Sequence, residues 1–121
     1  MFFDHVGIHV SDIAASKRFY EADLAPLGAT ILRDFGDAAM AGRLGEGGFW
    51  FYANGAPTTP IHIAFAAKTR AEVDAFYKAA IAAGGRDNGP PGLRPQYNPH
   101  YYGAFVLDPD GHNVEAVCHL P

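Results

Sequence analysis

The chain repeats itself. The stretch "HVGIHVSDIAASKRFYEADLAPLG" from His5 aligns without a gap on "HIAFAAKTRAEVDAFYKAAIAAGG" from His62, at an offset of 57 residues. In both copies a histidine opens a run of apolar or small residues, a Phe-Tyr pair follows 14 and 15 residues later, and a glycine falls 23 residues on. A chain that devotes its 121 residues to two copies of one pattern is limited to architectures made from two equivalent units. At this length the units share one core rather than folding as separate domains. We therefore read a single domain, residues 1–121, built of modules at approximately 1–56 and 57–121.

Each copy begins as a strand and continues as a helix. In "HVGIHV" the residues His5, Gly7 and His9 share one face, while Val6, Ile8 and Val10 share the other. The first helix is predicted to start near Asp12, a good cap, and to bury Ile13, Phe19, Tyr20 and Leu24. The second has Thr69 followed by Glu72, a capping-box pattern, with Val73, Phe76 and Ala80 at helical spacing and Gly84-Gly85 as a left-handed exit. After each helix come strand-like runs: "ATILRDF", "AAMAGRL" and "FWFYA", then residues 85–94, "YYGAFVL" and "HNVEAVC". The "DPDG" turn at 108–111 joins the last two. The order strand, helix, three strands, given twice, defines an α+β fold: two tandem βαβββ modules forming a cupped, mostly antiparallel eight-stranded sheet with two helices outside.

These residues together resemble the vicinal oxygen chelate superfamily of glyoxalase I, extradiol dioxygenases and the fosfomycin and bleomycin resistance proteins. The marks are the doubled module, the histidine opening each, and the closing "DPDGHNVEAV" with its glutamate. The resemblance implies that the cup holds a divalent metal which chelates neighbouring oxygens of a small substrate. Its ligands correspond to His5, His62 and Glu115, a two-histidine, one-carboxylate set suited to Fe(II), Mn(II), Co(II), Ni(II) or Zn(II). Alternation gives Glu115 independent weight, because it interrupts an otherwise apolar strand and a buried carboxylate needs a partner. That partner is a metal, or a polar network in an empty cup.

One departure bears on the chemistry. Glyoxalase I resembles a four-ligand site with a second glutamate on the last strand of the first module. Here that strand is "GFWFYA", without a carboxylate. Trp50, Phe51 or Tyr52 takes the place, so lactoylglutathione lyase activity is not expected, and Trp50 and Phe51 become candidates for stacking a substrate. His9 has Ala66 as its counterpart, and is either a cup-facing base or a hydrogen-bonded wall residue. His112 and His119 are expected to be solvated. The segment "RDNGPPGLRPQYNPHYYG" carries four prolines between Pro90 and Pro99, which prevents it from being an ordinary central strand. It offers Tyr101 and His100 as acid/base candidates and Arg94, Tyr97 and Tyr102 as substrate contacts, or it is a surface loop packed by its own tyrosines.

Composition narrows the partners. A formal charge of -4 with nine Lys and Arg leaves no basic stripe for nucleic acid. No apolar run approaches the roughly 18 residues of a membrane span, and the opening residues do not read as an export leader. The single cysteine, Cys118, offers no internal disulfide, which fits a reducing cytoplasm. The resemblance implies a homodimer, with the site built inside one chain or shared between two. Two functions follow: a metal-dependent isomerase, lyase or dioxygenase, or a metal-free binding protein of the bleomycin-resistance type.

Overall fold

The computed structural model describes residues 3–121. The elements run β1 (His5–His9), α1 (Ile13–Leu24), a 3-10 turn (Ala25–Leu27), β2 (Thr30–Asp34), β3 (Ala38–Gly42) and β4 (Gly48–Tyr52). The second module adds β5 (His62–Ala66), α2 (Arg70–Ala82), β6 (Arg86–Leu93), β7 (Tyr102–Leu107) and β8 (Asn113–Cys118). This is the βαβββ order twice. The strands fall into two four-stranded sheets, β1-β4-β3-β2 and β5-β8-β7-β6. In each sheet the first and last strands of the module lie side by side in parallel, and the other neighbours are antiparallel.

Local signals set the helix starts. Asp12 accepts the Ala15 amide at 3.1 Å, Thr69 accepts the Glu72 amide at 3.1 Å, and Glu72 reaches back to the Lys68 amide at 2.9 Å. The prolines make β6 an edge strand whose register shifts twice against β7. Gly111 takes φ +86° in the "DPDG" turn.

The two helices pack on each other and on the sheets, and the core lies between them. Phe19, Tyr20, Phe51, Phe76, Val106 and Val114 have no exposed surface. The Tyr20 ring meets Phe19 edge-on at 5.0 Å and Phe49 at 4.9 Å, and Phe49 meets Phe65 of the other module at 5.6 Å. The residues that alternate with this core line the opposite, concave faces. Those are His5, Gly7, His9, Trp50 and Tyr52 in the first module and His62, Glu115 and Phe105 in the second.

The two glycines matched by the repeat serve different needs. Gly28 takes φ +79°, the left-handed exit. In the second module that role falls to Gly84, at φ +99°, and Gly85 is kept for space. A Cβ on Gly85 would stand 2.5 Å from Val106 Cγ1, 2.7 Å from Phe19 Cε1 and 2.8 Å from the Ala80 carbonyl oxygen. Backbone is among those atoms, so relief requires the strand to shift. Gly85→Ala is expected to destabilise the fold by about 2 kcal/mol in urea unfolding, and an unchanged midpoint would refute this account of the position.

Candidate metal centre

Parallel pairing fixes which residue of the first module stands where Glu115 stands in the second. Glu115 pairs with Ala64, two residues after His62, and Trp50 pairs with Gly7, two residues after His5. Trp50 therefore holds the position of the second glutamate, and Phe51, its neighbour, points the other way. Phe51 is fully buried and touches Tyr20 and Phe49, so it is a core residue and not a substrate contact. The same alternation separates Tyr101 from Tyr102. The Tyr102 hydroxyl donates to Asp74 Oδ1 on α2 at 2.6 Å beneath the Arg70 guanidinium, away from the concave face.

Glu115 is fully buried, and each of its oxygens has a partner. Oε1 lies 2.9 Å from His62 Nε2, and Oε2 accepts from the Tyr101 hydroxyl. Burial, then the bond to Glu115, pushes the Tyr101 phenol well above its ordinary pKa, so it remains a donor. The His62 ring lies half-exposed beside Phe105, over which the Arg94 guanidinium rests at 5.5 Å while donating to the Pro90 carbonyl. The Tyr101 ring is clamped edge-on by Tyr97 at 4.9 Å and His119 at 5.2 Å.

His62 and Glu115 fit a metal in their spacing. Donors held about 2.1 Å from one ion at right angles stand about 3 Å apart, which matches their separation. The third expected ligand is elsewhere. His5 Nδ1 lies 2.7 Å from Asp4 Oδ1, with the His5 side chain 57% exposed. Among the described residues no three His, Cys, Asp or Glu side chains form a group that could hold a metal. His5 and His62 do border one cavity of about 530 Å³, floored by Leu24, Leu27, Phe49 and Phe65, but Glu115 is not on its wall.

The remaining candidates divide clearly. His9 sits on the concave face against Tyr52, its backbone amide donating to Thr58, and its Nδ1 is buried without a partner. Trp50 stacks in parallel with Tyr52 and with the exposed Phe35, at 5.9 and 6.1 Å. His100 is exposed, and no bond joins its ring to Glu115 or Tyr101. His112 is fully buried, correcting the expectation of a solvated turn residue: its Nδ1 accepts the Ile61 amide at 3.1 Å. His119 is exposed, as expected of a solvated residue, and one face of its ring packs on Tyr101. Gly103 belongs to the site although no motif marks it: a Cβ there would stand 3.0 Å from Glu115 Oε2 and 3.1 Å from Tyr101 Cε1. A glycine inside a strand pattern, "YYGAFV", was the available signal.

Two cupped βαβββ modules, with a histidine and a carboxylate converging on one concave face, define a vicinal-oxygen-chelate fold. Residues 2–116 match the Glyoxalase/Bleomycin resistance protein/Dioxygenase superfamily, and the chain belongs to it. Among solved structures it is similar to a glyoxalase/bleomycin resistance protein from Albidiferax ferrireducens T118, at 33% identity and TM-score 0.85, covering 99% of this chain and 100% of that one. A glyoxalase I mutant from Zea mays is 26% identical with TM-score 0.68, covering 95% of this chain but 45% of the longer maize chain. The oxidase ChaP-H1 shares the fold at 24% identity and TM-score 0.71, covering 99% and 97%. No match was found among curated proteins. No helix among the described residues is long and apolar enough to cross a membrane.

Proposed function

We propose that this chain is a divalent-metal-dependent enzyme acting on a small substrate with adjacent oxygens, and that its site is completed between two copies. His62 and Glu115 of one copy supply two ligands, and His5 of the other supplies the third. The observation that carries this reading is the His62–Glu115 pair, 2.9 Å apart at the spacing of neighbouring metal donors, with His5 open on the equivalent face of the other module. Bound there, the ion would act as a Lewis acid that polarises the substrate's oxygens.

The chain's own groups then divide the remaining work. Phe105 and Trp50 give the cup apolar walls that exclude water, and Arg94 has guanidinium donors left for an anionic group. His9 is the acid/base candidate of the first module, its Nδ1 buried beside Tyr52 without a hydrogen-bond partner. Glyoxalase I chemistry is not proposed, because Trp50 cannot replace a carboxylate base. Isomerase, lyase and dioxygenase reactions all suit the three-ligand set.

The test is metal analysis of protein purified without chelator. Stoichiometric metal is expected in the wild type and its loss in Glu115→Ala and His5→Ala, with circular dichroism unchanged. A wild type without metal would sink the reading. That result would favour the second function, a metal-free binding protein, for which the Phe35–Trp50–Tyr52 stack, with Phe35 exposed at its end, is the supporting observation.

A further inference from the structure

We propose that Tyr101 is a positioning residue that restricts Glu115 to a one-oxygen donor. A carboxylate can bind an ion through one oxygen or both, and the choice sets how many positions stay open for substrate. In this chain the two oxygens have been given different tasks. Oε1 faces His62 Nε2, and Oε2 is occupied by the Tyr101 hydroxyl. Because Glu115 is fully buried, releasing Oε2 would leave a desolvated oxygen without a donor, so the phenol stays on it.

Three features hold the phenol in place. The segment that carries it is closed by backbone bonds, Arg94 N–H to the Tyr101 carbonyl at 2.7 Å and Tyr101 N–H to the Asn98 carbonyl at 3.2 Å. Tyr97 and His119 clamp the ring from two sides, and the His119 ring is itself within 3.4 Å of the Asn98 side chain. Gly103 leaves free the space where a side chain would press on Glu115 Oε2 and on the tyrosine ring at once. Their shared effect is to fix one oxygen of one carboxylate, as outer partners of metal ligands do elsewhere.

This inference rests on the reading of His62 and Glu115 as ligands, and the experiment separates the two. The full chain is stripped with chelator and titrated with Co²⁺, following heat of binding and the visible absorption of the bound ion. Tyr101→Phe is expected to bind about 10-fold more weakly, with an altered cobalt spectrum as Oε2 becomes free to join the ion. His119→Ala, which removes only an exposed clamp, should shift both readouts in the same direction and keeps the test open if Tyr101→Phe does not fold. Variants that match the wild type in affinity and spectrum overturn the role given to Tyr101 while leaving the metal site standing. A wild type that binds no Co²⁺ overturns the metal site, and the positioning role with it.

Discussion

Mixing His5→Ala protein with Glu115→Ala protein is expected to restore metal binding that neither has alone. If each site takes His5 from one copy and His62 with Glu115 from the other, both mutant dimers lack a ligand at every site. A mixed dimer pairs the intact His5 of the Glu115→Ala chain with the intact His62 and Glu115 of the other chain, so one of its two sites is whole. Random exchange makes about half the dimers mixed and returns about a quarter of the wild-type metal capacity. Co-expression followed by metal analysis on the separated dimers reads this directly. If the site closes within a single chain, no chain in the mixture is complete and the metal stays absent. The single-chain alternative has a structural basis of its own, since His5 and His62 border the same cavity. The experiment discriminates because the arrangements differ in all-or-none fashion, whereas affinity changes in single mutants would be the same for both.

The doubled fold was legible because its signals are local and repeat in register. Helix caps at Asp12 and Thr69, alternation in "HVGIHV" and the turn at Gly111 each need only a few neighbouring residues. The pairing of His62 with Glu115 was legible from the resemblance, since they lie on the first and last strands of the same module. What the sequence left open was decided by parity and space. Adjacent residues on a strand face opposite ways, so Trp50 and Phe51, or Tyr101 and Tyr102, cannot both serve the cup. Only the pairing of β1 with β4 and of β7 with β8 says which of each does. Gly103 and His119 matter through volumes around Tyr101, which no spacing rule describes. His112 misled because turn residues are usually solvated. Its ring instead folds under β5 to accept the Ile61 amide.

Asp23→Asn is expected to stabilise the protein, and increasingly so as the pH rises. Asp23 lies on α1 one turn from Tyr20, is fully buried, and neither carboxylate oxygen has a hydrogen-bond partner of good geometry. Its neighbour Asp108 collects three donors: the Tyr20 hydroxyl at 2.5 Å on Oδ2, and the amides of Asp110 and His112 at 2.9 and 2.8 Å on Oδ1. That cluster ties the first module's helix to the turn between β7 and β8, and it leaves Asp23 with none of the donors. Burial, then repulsion from Asp108, pushes the Asp23 carboxyl well above its ordinary range. An unfolded carboxyl loses its proton near pH ~4, while the folded one keeps it to higher pH. Over that window the native state binds the extra proton, so stability is greatest below the unfolded value and falls by about 1.4 kcal/mol per pH unit until the folded group ionises. An amide of the same shape has no proton to lose. In urea unfolding of metal-free protein, wild type and Asp23→Asn should lie close together below pH ~4 and separate steadily as the pH rises, with the variant the more stable by at least about 1 kcal/mol at pH 8. Parallel pH profiles would mean that Asp23 is solvated or paired in a way this packing does not contain. The same comparison indicates why an acidic residue is tolerable here at all: kept protonated, it is a small polar side chain against Tyr20, while the donors of the module junction go to Asp108.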